Sequence, residues 1–190
     1  MAKLYFKYGA MGSSKSAQAL ITKFNYEELG MTVWLIKPSV DDRDGADIVK
    51  SRIGLSQRAQ VITPEQSIVE AYHAAGRHDV IIADEAQFLT KAQVEQLVRI
   101  VDQEHIPVVA YGLRADFKGN FFEGSQWLMA WADSIEEVKT ICWCGRKATF
   151  NARLMNGKVV KTGEQVVLGG NESYTSLCRL HWALGQLKPD

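Results

Sequence analysis

Three groups of residues in this chain carry types and spacings that could do chemistry. The first is Gly9-Ala10-Met11-Gly12-Ser13-Ser14-Lys15-Ser16. A short apolar run, Leu4-Tyr5-Phe6-Lys7-Tyr8, precedes it. A helical pattern follows, with Ala17, Leu20, Ile21 and Phe24 at positions i, i+3, i+4 and i+7. Strand, glycine-containing loop, Lys-Ser and helix form the layout of a phosphate-binding loop. Successive backbone N–H groups and the positive end of the helix dipole suit anionic oxygens. Lys15 is placed to reach the β- and γ-phosphates, and the Ser16 hydroxyl to ligate magnesium. Ser14 stands where the motif has glycine. Two consequences are open: an added hydroxyl contact, or a loop less able to form its cradle.

The second group is Asp84-Glu85, directly after the apolar run Val80-Ile81-Ile82-Ala83. Such a strand ending in Asp-Glu is a Walker B arrangement, which belongs beside the phosphate loop at the C-terminal edge of a parallel sheet. Asp84 would hold magnesium directly or through water. Glu85 would accept a proton from an attacking hydroxyl or water. The bland reading of either motif alone is a turn or a helix cap.

The third group is Cys142-x-Cys144 and, after 33 further residues, Cys178-x-x-His181. Two ligand pairs on separate turns can supply a closed tetrahedral set for a structural zinc. The alternatives are buried reduced cysteines or a transient disulfide. All three cysteines lie after residue 140, so any metal or redox role is confined to that end.

Composition bounds these readings. A chain of 190 residues, 46% hydrophobic and 23% charged, can bury a core and fits one domain with a small appendage. Lys plus Arg and Asp plus Glu number 22 each, so no global field recruits nucleic acid or an anionic membrane. No apolar run approaches the ~20 residues of a membrane span, and the N-terminus runs into a strand rather than a signal peptide. The expected compartment is the cytoplasm.

The elements that must position these groups read as alternating strands and helices. Gly30 suits a helix C-cap, and Thr32-Val33-Trp34-Leu35-Ile36 reads as a buried strand. Residues 37–58 lack periodicity and read as a loop region, in which Arg43, Arg52 and Arg58 could contact phosphate. Val61-Ile62 is a short strand. Thr63-Pro64-Glu65-Gln66 reads as the start of a helix burying Ile68, Ala71, Tyr72 and Ala75. Thr90-Lys91-Ala92-Gln93 starts another helix the same way, with Val94, Leu97, Val98 and Val101 on one face. Ile106 to Gly112 is a further strand. The pattern to residue 138 argues for a parallel sheet covered on both faces. Residues 139–190 change character: Ala148 to Leu154 alternates as an antiparallel strand, Val159-Val160 continues it, a glycine-bearing loop runs from Gly163 to Gly170, and a short helix follows Cys178.

Taken together, the chain resembles the thymidine kinases of the bacterial and vertebrate cytosolic type, nearly end to end. The resemblance rests on Gly9 to Ser16, Asp84-Glu85-Ala86-Gln87-Phe88, Tyr111 to Phe117, Gly124-Ser125, Cys142 to Ala148, Gly163 to Tyr174, and Cys178-Arg179-Leu180-His181. It implies an α/β fold: a RecA-like P-loop NTPase domain with a parallel sheet over residues 1–138. Residues 139–190 would form a small zinc-binding lobe whose lasso loop, about residues 160–174, covers a nucleoside. The implied reaction moves the γ-phosphoryl group of ATP to the 5′-hydroxyl of thymidine or deoxyuridine, in nucleoside salvage. Nucleotide contacts would come from Gly9 to Ser16 and from Asp84, Glu85, Ala86 and Gln87, with Glu85 as catalytic base. Phe117 would wall the base pocket, Gln165, Val166, Val167, Leu168 and Gly169 would read the base edge, and Tyr174 would meet the sugar. Cys142, Cys144, Cys178 and His181 would hold zinc, and the assembly would be a homotetramer.

Two rival classes remain. A helicase-type ATPase needs two RecA-like domains and a basic strand-binding surface, which 190 residues at zero net charge do not supply. A zinc-ribbon binding module on an inactive nucleotide-binding scaffold would be favoured only by Ser14.

Overall fold

The computed structural model describes residues 1–39, 47–166 and 174–189. Arg43 and residues 167–173 of the lasso segment, Val167, Leu168 and Gly169 among them, lie outside the described residues.

Among them, six strands form one all-parallel sheet: β1 (Leu4–Tyr8), β2 (Val33–Pro38), β5 (Gln60–Ile62), β6 (Val80–Ala83), β7 (Val108–Gly112) and β8 (Ser134–Glu137), in the order β5-β2-β6-β7-β1-β8. Central strands of a parallel sheet are apolar on both faces because helices cover both. The alternation is visible residue by residue. Ile81 and Ala83 join one core with Leu4, Phe6, Trp34 and Ala110; Val80 and Ile82 join the other with Leu35, Val109 and Tyr111.

Helix α1 (Lys15–Glu28) covers the second core, and α2 (Ile68–Ala75), α3 (Lys91–Arg99) and α4 (Glu123–Trp131) cover the first. α3 continues through a π-helical turn, Ile100–Glu104. Thr90 caps α3 with a complete capping box to Gln93, as its sequence pattern predicts.

Three local expectations are corrected. α2 starts at Ile68 and is capped by Ser67 rather than by Thr63; the Ser67 side chain accepts from Glu70 N–H. The buried Gln93 amide donates to the carbonyls of Thr63 and Gln66 at 2.7 and 3.1 Å, and this tertiary contact holds residues 63–66 in a turn. Within the segment read as loop, β3 (Ile48–Lys50) and β4 (Ser56–Arg58) pair antiparallel. In α1, Ile21 and Phe24 are 46% and 58% exposed, while Ala17, Ala19 and Leu20 face the sheet. The loop at its N-terminus sets the roll of that helix by burying Lys15.

After β8, a two-stranded sheet of β9 (Thr140–Ile141) and β10 (Lys147–Ala148) precedes a three-stranded one. The latter is ordered β12 (Lys158–Val160), β11 (Phe150–Met155), β13 (Tyr174–Leu177), all antiparallel, and α5 (Arg179–Leu184) follows. A third apolar cluster sits here, built from Cys142, Ala148, Ala152, Leu177 and Cys178. Among the described residues no helix is long and apolar enough to cross a membrane.

Candidate functional site

The loop from Gly9 to Ser14 leaves β1 at the C-terminal edge of the sheet. Gly9 N–H donates to Gly112 O at 3.2 Å, tying the loop to β7. A Cβ at Gly9 would collide with Ser13 Oγ and Val138 O, which leaves only glycine there. The chain turns with Ser13 N–H on Ala10 O and passes through positive φ at Gly12 (73°) and Ser14 (63°). The second value explains the motif's usual glycine: the left-handed region suits a residue without a Cβ. Ser14 makes no side-chain cap bond to α1, so its hydroxyl gives nothing back to the helix.

Lys15 is buried, and its ammonium turns under the loop to donate to Ala10 O at 2.9 Å and Ser13 Oγ at 3.2 Å. Ser16 Oγ hydrogen-bonds the Asp84 carboxyl at the end of β6. The two motifs, far apart in sequence, therefore meet as their spacing predicts. Burial and the neighbouring Glu85 charge push Asp84 up to about 7, against relief from the Ser16 hydroxyl, the Glu85 N–H and the Lys15 charge. A buried carboxyl beside a hydroxyl is a donor pair of the hard oxygen type that magnesium takes.

Glu85 adopts left-handed backbone angles (φ 51°, ψ 35°) and opens a 3-10 turn over Ala86–Phe88. Gln87 within that turn is almost wholly buried; its Nε2 donates to Glu85 Oε2 at 2.5 Å and its Oε1 accepts from Leu113 N–H at 3.0 Å. Ala86 is buried against the core. Gly124, at the start of α4, lies where any Cβ would strike the carbonyls of Ala86, Leu89 and Gln87. Ser125 Oγ donates to Leu113 O at 2.5 Å, so α4 holds both the turn and the end of β7.

Three of the candidate nucleoside residues, Phe117, Gln165 and Tyr174, gather around one side chain that sequence reasoning missed. Arg153 on β11 is 5% exposed. Its guanidinium lies 3.7 Å from the Phe117 ring centre, and it donates from Nε to Tyr174 Oη at 2.9 Å and from Nη2 to Gln165 O at 3.1 Å. Phe117 is itself buried. Gln165 Nε2 donates to Asp116 Oδ2 at 3.0 Å, and Asp116 Oδ1 accepts from Lys118 and Asn120 N–H. Val166 is 37% exposed. The available signal was the polar face of β11: Asn151 and Arg153 alternate around Ala152, and all three are buried.

Asn151 links the two halves of the site. Its Oδ1 accepts from Met11 N–H at 2.8 Å in the phosphate loop, and its Nδ2 donates to Ala115 O at 2.9 Å beside the Asp116–Phe117 cluster. Ser176 Oγ also donates to Met11 O. Next to this clamp a cavity of about 350 Å³ is lined by Met11, Gly12, Arg52, Thr140, Tyr174 and Lys188. Of the three candidate arginines, Arg52 therefore lies beside the loop, whereas Arg58 is exposed and 3.8 Å from Asp47.

Cys142, Cys144, Cys178 and His181 bring one ligand atom each to within 4.8 Å of one another. Cys142 Sγ is 3.4 Å from His181 Nδ1, and Cys144 Sγ is 4.0 Å from Cys178 Sγ. Ligands about 2.3 Å from a tetrahedral zinc stand roughly 3.8 Å apart, so the donor set fits that metal. Burial opposes ionisation of Cys142, but hydrogen bonds from Cys144 N–H, the His181 ring and Cys178 N–H outweigh it and bring the thiol down to about 6. That favours the thiolate a metal requires. Trp143 stacks on His181 at 4.2 Å and fixes its ring.

Comparison with known proteins agrees with this geometry. The family model described as "Thymidine kinase" matches residues 2–182. Curated thymidine kinases align over nearly the whole chain. That of Mannheimia succiniciproducens is 51% identical over 186 residues, 96% of this chain and 95% of its own. Those of Legionella pneumophila (strain Lens) and Shewanella oneidensis are each 50% identical, over 98% and 96% of this chain and 91% and 97% of theirs. With the family model spanning almost every residue and half of all positions identical to each of these relatives, the chain belongs to the thymidine kinase family.

Proposed function

We propose the following residue roles for this thymidine kinase, a phosphotransferase of nucleoside salvage. The γ-phosphoryl group of ATP passes to the 5′-hydroxyl of thymidine or deoxyuridine, giving the 5′-monophosphate and ADP. Gly9, Ala10, Met11, Gly12, Ser13, Ser14, Lys15 and Ser16 cradle the phosphates. Because Met11 N–H is given to Asn151 and Ser13 N–H to Ala10 O, the anion-facing amides are those of Gly12 and of Ser14 to Ser16. Lys15 exchanges its bonds to Ala10 O and Ser13 Oγ for phosphate oxygens. Ser16 and Asp84 would hold a magnesium ion, which when bound would neutralise charge developing on the phosphates. The Glu85 carboxylate takes the 5′-hydroxyl proton as that oxygen bonds to the γ-phosphorus and the bond to ADP breaks.

On the acceptor side, Phe117 walls the base pocket, Tyr174 meets the sugar, and the main chain from Gln165 to Gly169 pairs with the base edge. An unpaired buried polar edge costs ~1–3 kcal/mol, which is how such a loop refuses the wrong base. Zinc in the Cys142, Cys144, Cys178 and His181 set is structural, since four protein ligands leave no open position. The division into residues 1–138 for ATP and 139–190 for the metal and the loop, the cytoplasmic location, and the absence of a nucleic acid partner complete the reading. A homotetramer is supported by the exposed Ile21, Phe24, Leu29 and Met31 along and after α1.

The observation that carries these roles is Asn151, one buried side chain bonded to both the phosphate loop and the segment leading to Phe117. A panel of nucleosides with ATP and magnesium tests the substrate assignment. Turnover is expected for thymidine and deoxyuridine and not for purine nucleosides; failure to turn over either pyrimidine overturns it.

A further inference from the structure

The geometry points to Gln87 as a positioning residue that holds the Glu85 carboxylate for proton transfer, rather than as a contact to the nucleotide. The inference rests on Glu85 being the base. Gln87 is 1% exposed, and both ends of its amide are committed within the protein. Oε1 accepts the Leu113 N–H at 3.0 Å, and Nε2 donates to Glu85 Oε2 at 2.5 Å. Leu113 N–H can only donate, so Oε1 must face it and the NH2 group must face the carboxylate. Flipping the amide would set donor against donor and acceptor against acceptor, so its orientation is unique.

The surroundings are shaped to this amide. A Cβ on Gly112 would lie 2.8 Å from Gln87 Oε1 and 3.0 Å from Gln87 N, so glycine is what admits the side chain at the end of β7. Leu113 is anchored in turn by Ser125 Oγ on its carbonyl. Glu85 needs the restraint. Its backbone sits at φ 51°, outside the regions non-glycine residues prefer, and it follows β6 on a short turn. A base on such a turn transfers protons efficiently only if its oxygen is held at hydrogen-bond reach of the hydroxyl. The chain of contacts Ser125–Leu113–Gln87–Glu85 carries that restraint from α4 and β7 to the carboxylate.

A double-mutant cycle between Glu85 and Gln87 tests this, with kcat, the KM values for ATP and thymidine, and thermal midpoints measured on the full chain. Gln87→Glu keeps an acceptor for Leu113 N–H and replaces only the donor to Glu85. It is expected to lower kcat by about 10- to 100-fold and to shift each KM by less than about 3-fold. In the Glu85→Gln background the same change is expected to cost less than about 3-fold more, because its target is already gone. In that double variant the amide introduced at position 85 can donate to the carboxylate introduced at position 87, so the midpoint lost in Gln87→Glu should return while kcat does not. An ATP KM raised about tenfold with kcat retained would overturn the inference in favour of a nucleotide contact. An equal fractional loss in both backgrounds would overturn it in favour of an independent structural role. Full activity of Glu85→Gln alone would instead defeat the assignment of the base.

Discussion

At the scale of single residues, the phosphate end of the site is held under two kinds of stress. Ser14 sits at φ 63° without a side-chain cap bond, so its hydroxyl does not repay the left-handed backbone. Ser14→Gly is expected to raise unfolding stability by about 1 kcal/mol with phosphorylation retained, read by urea denaturation.

Asp84 is the second. Its folded value of about 7 lies above the 3.8 of an ordinary aspartate, with burial as the leading cause. Below pH 4 the carboxyl is protonated whether folded or not, and no penalty arises. As pH rises from about 4 to 7 the unfolded chain ionises first, so stability falls on the order of 1 kcal/mol per pH unit, then levels off. Asp84→Asn removes the titration. Its thermal midpoint should rise relative to the parent across pH 4 to 7 and hold that lead above, while phosphoryl transfer is lost. A parallel pair of midpoint-versus-pH curves would contradict the assignment.

At the scale of elements, local signals were legible where local forces decided the outcome. The apolar run Val80 to Ala83 became a central strand, and Thr90 became an N-cap with its Gln93 partner. Thr63-Pro64-Glu65-Gln66 carries the same kind of signal and did not cap, because the Gln93 amide from α3 claims the carbonyls of Thr63 and Gln66. No local reading of residues 63–66 contains that partner. The β3–β4 hairpin escaped notice for a related reason: Ser56, Gln57 and Arg58 are all exposed, so no alternation marks them. The site was legible as motifs, Gly9 to Ser16, Asp84-Glu85 and the cysteine set. The side chains that join those motifs, Asn151 and Arg153, were not, because their importance lies in long-range bonds rather than in spacing; Gln87 was legible as part of the Asp84 to Phe88 motif, but its bonds to Leu113 and Glu85 were not.

At the scale of the whole molecule, the cysteine cluster and the phosphate loop are mechanically connected. Cys178 caps α5 immediately after β13, β13 carries Ser176, and the neighbouring β11 carries Asn151; both side chains grip Met11. Stripping the metal from the intact protein is therefore expected to weaken ATP binding by about 10-fold or more, although no cysteine touches the loop. Calorimetric titration before and after chelation, with about one zinc per chain found by metal analysis, would measure it. Unchanged ATP affinity in a metal-free, folded sample would break the link.

The Met11 clamp also bears on how the chain comes into being. Met11 lies near the beginning and is secured by Asn151 and Ser176, sequence separations of 140 and 165 residues. A ribosome releases β1 and the loop long before it delivers the two side chains that finish the loop's shape. Contacts so distant along the chain are slow to close. With the loop as the proposed ATP site, competence to bind ATP is expected to arrive late in synthesis, together with the cysteines, rather than to template early folding.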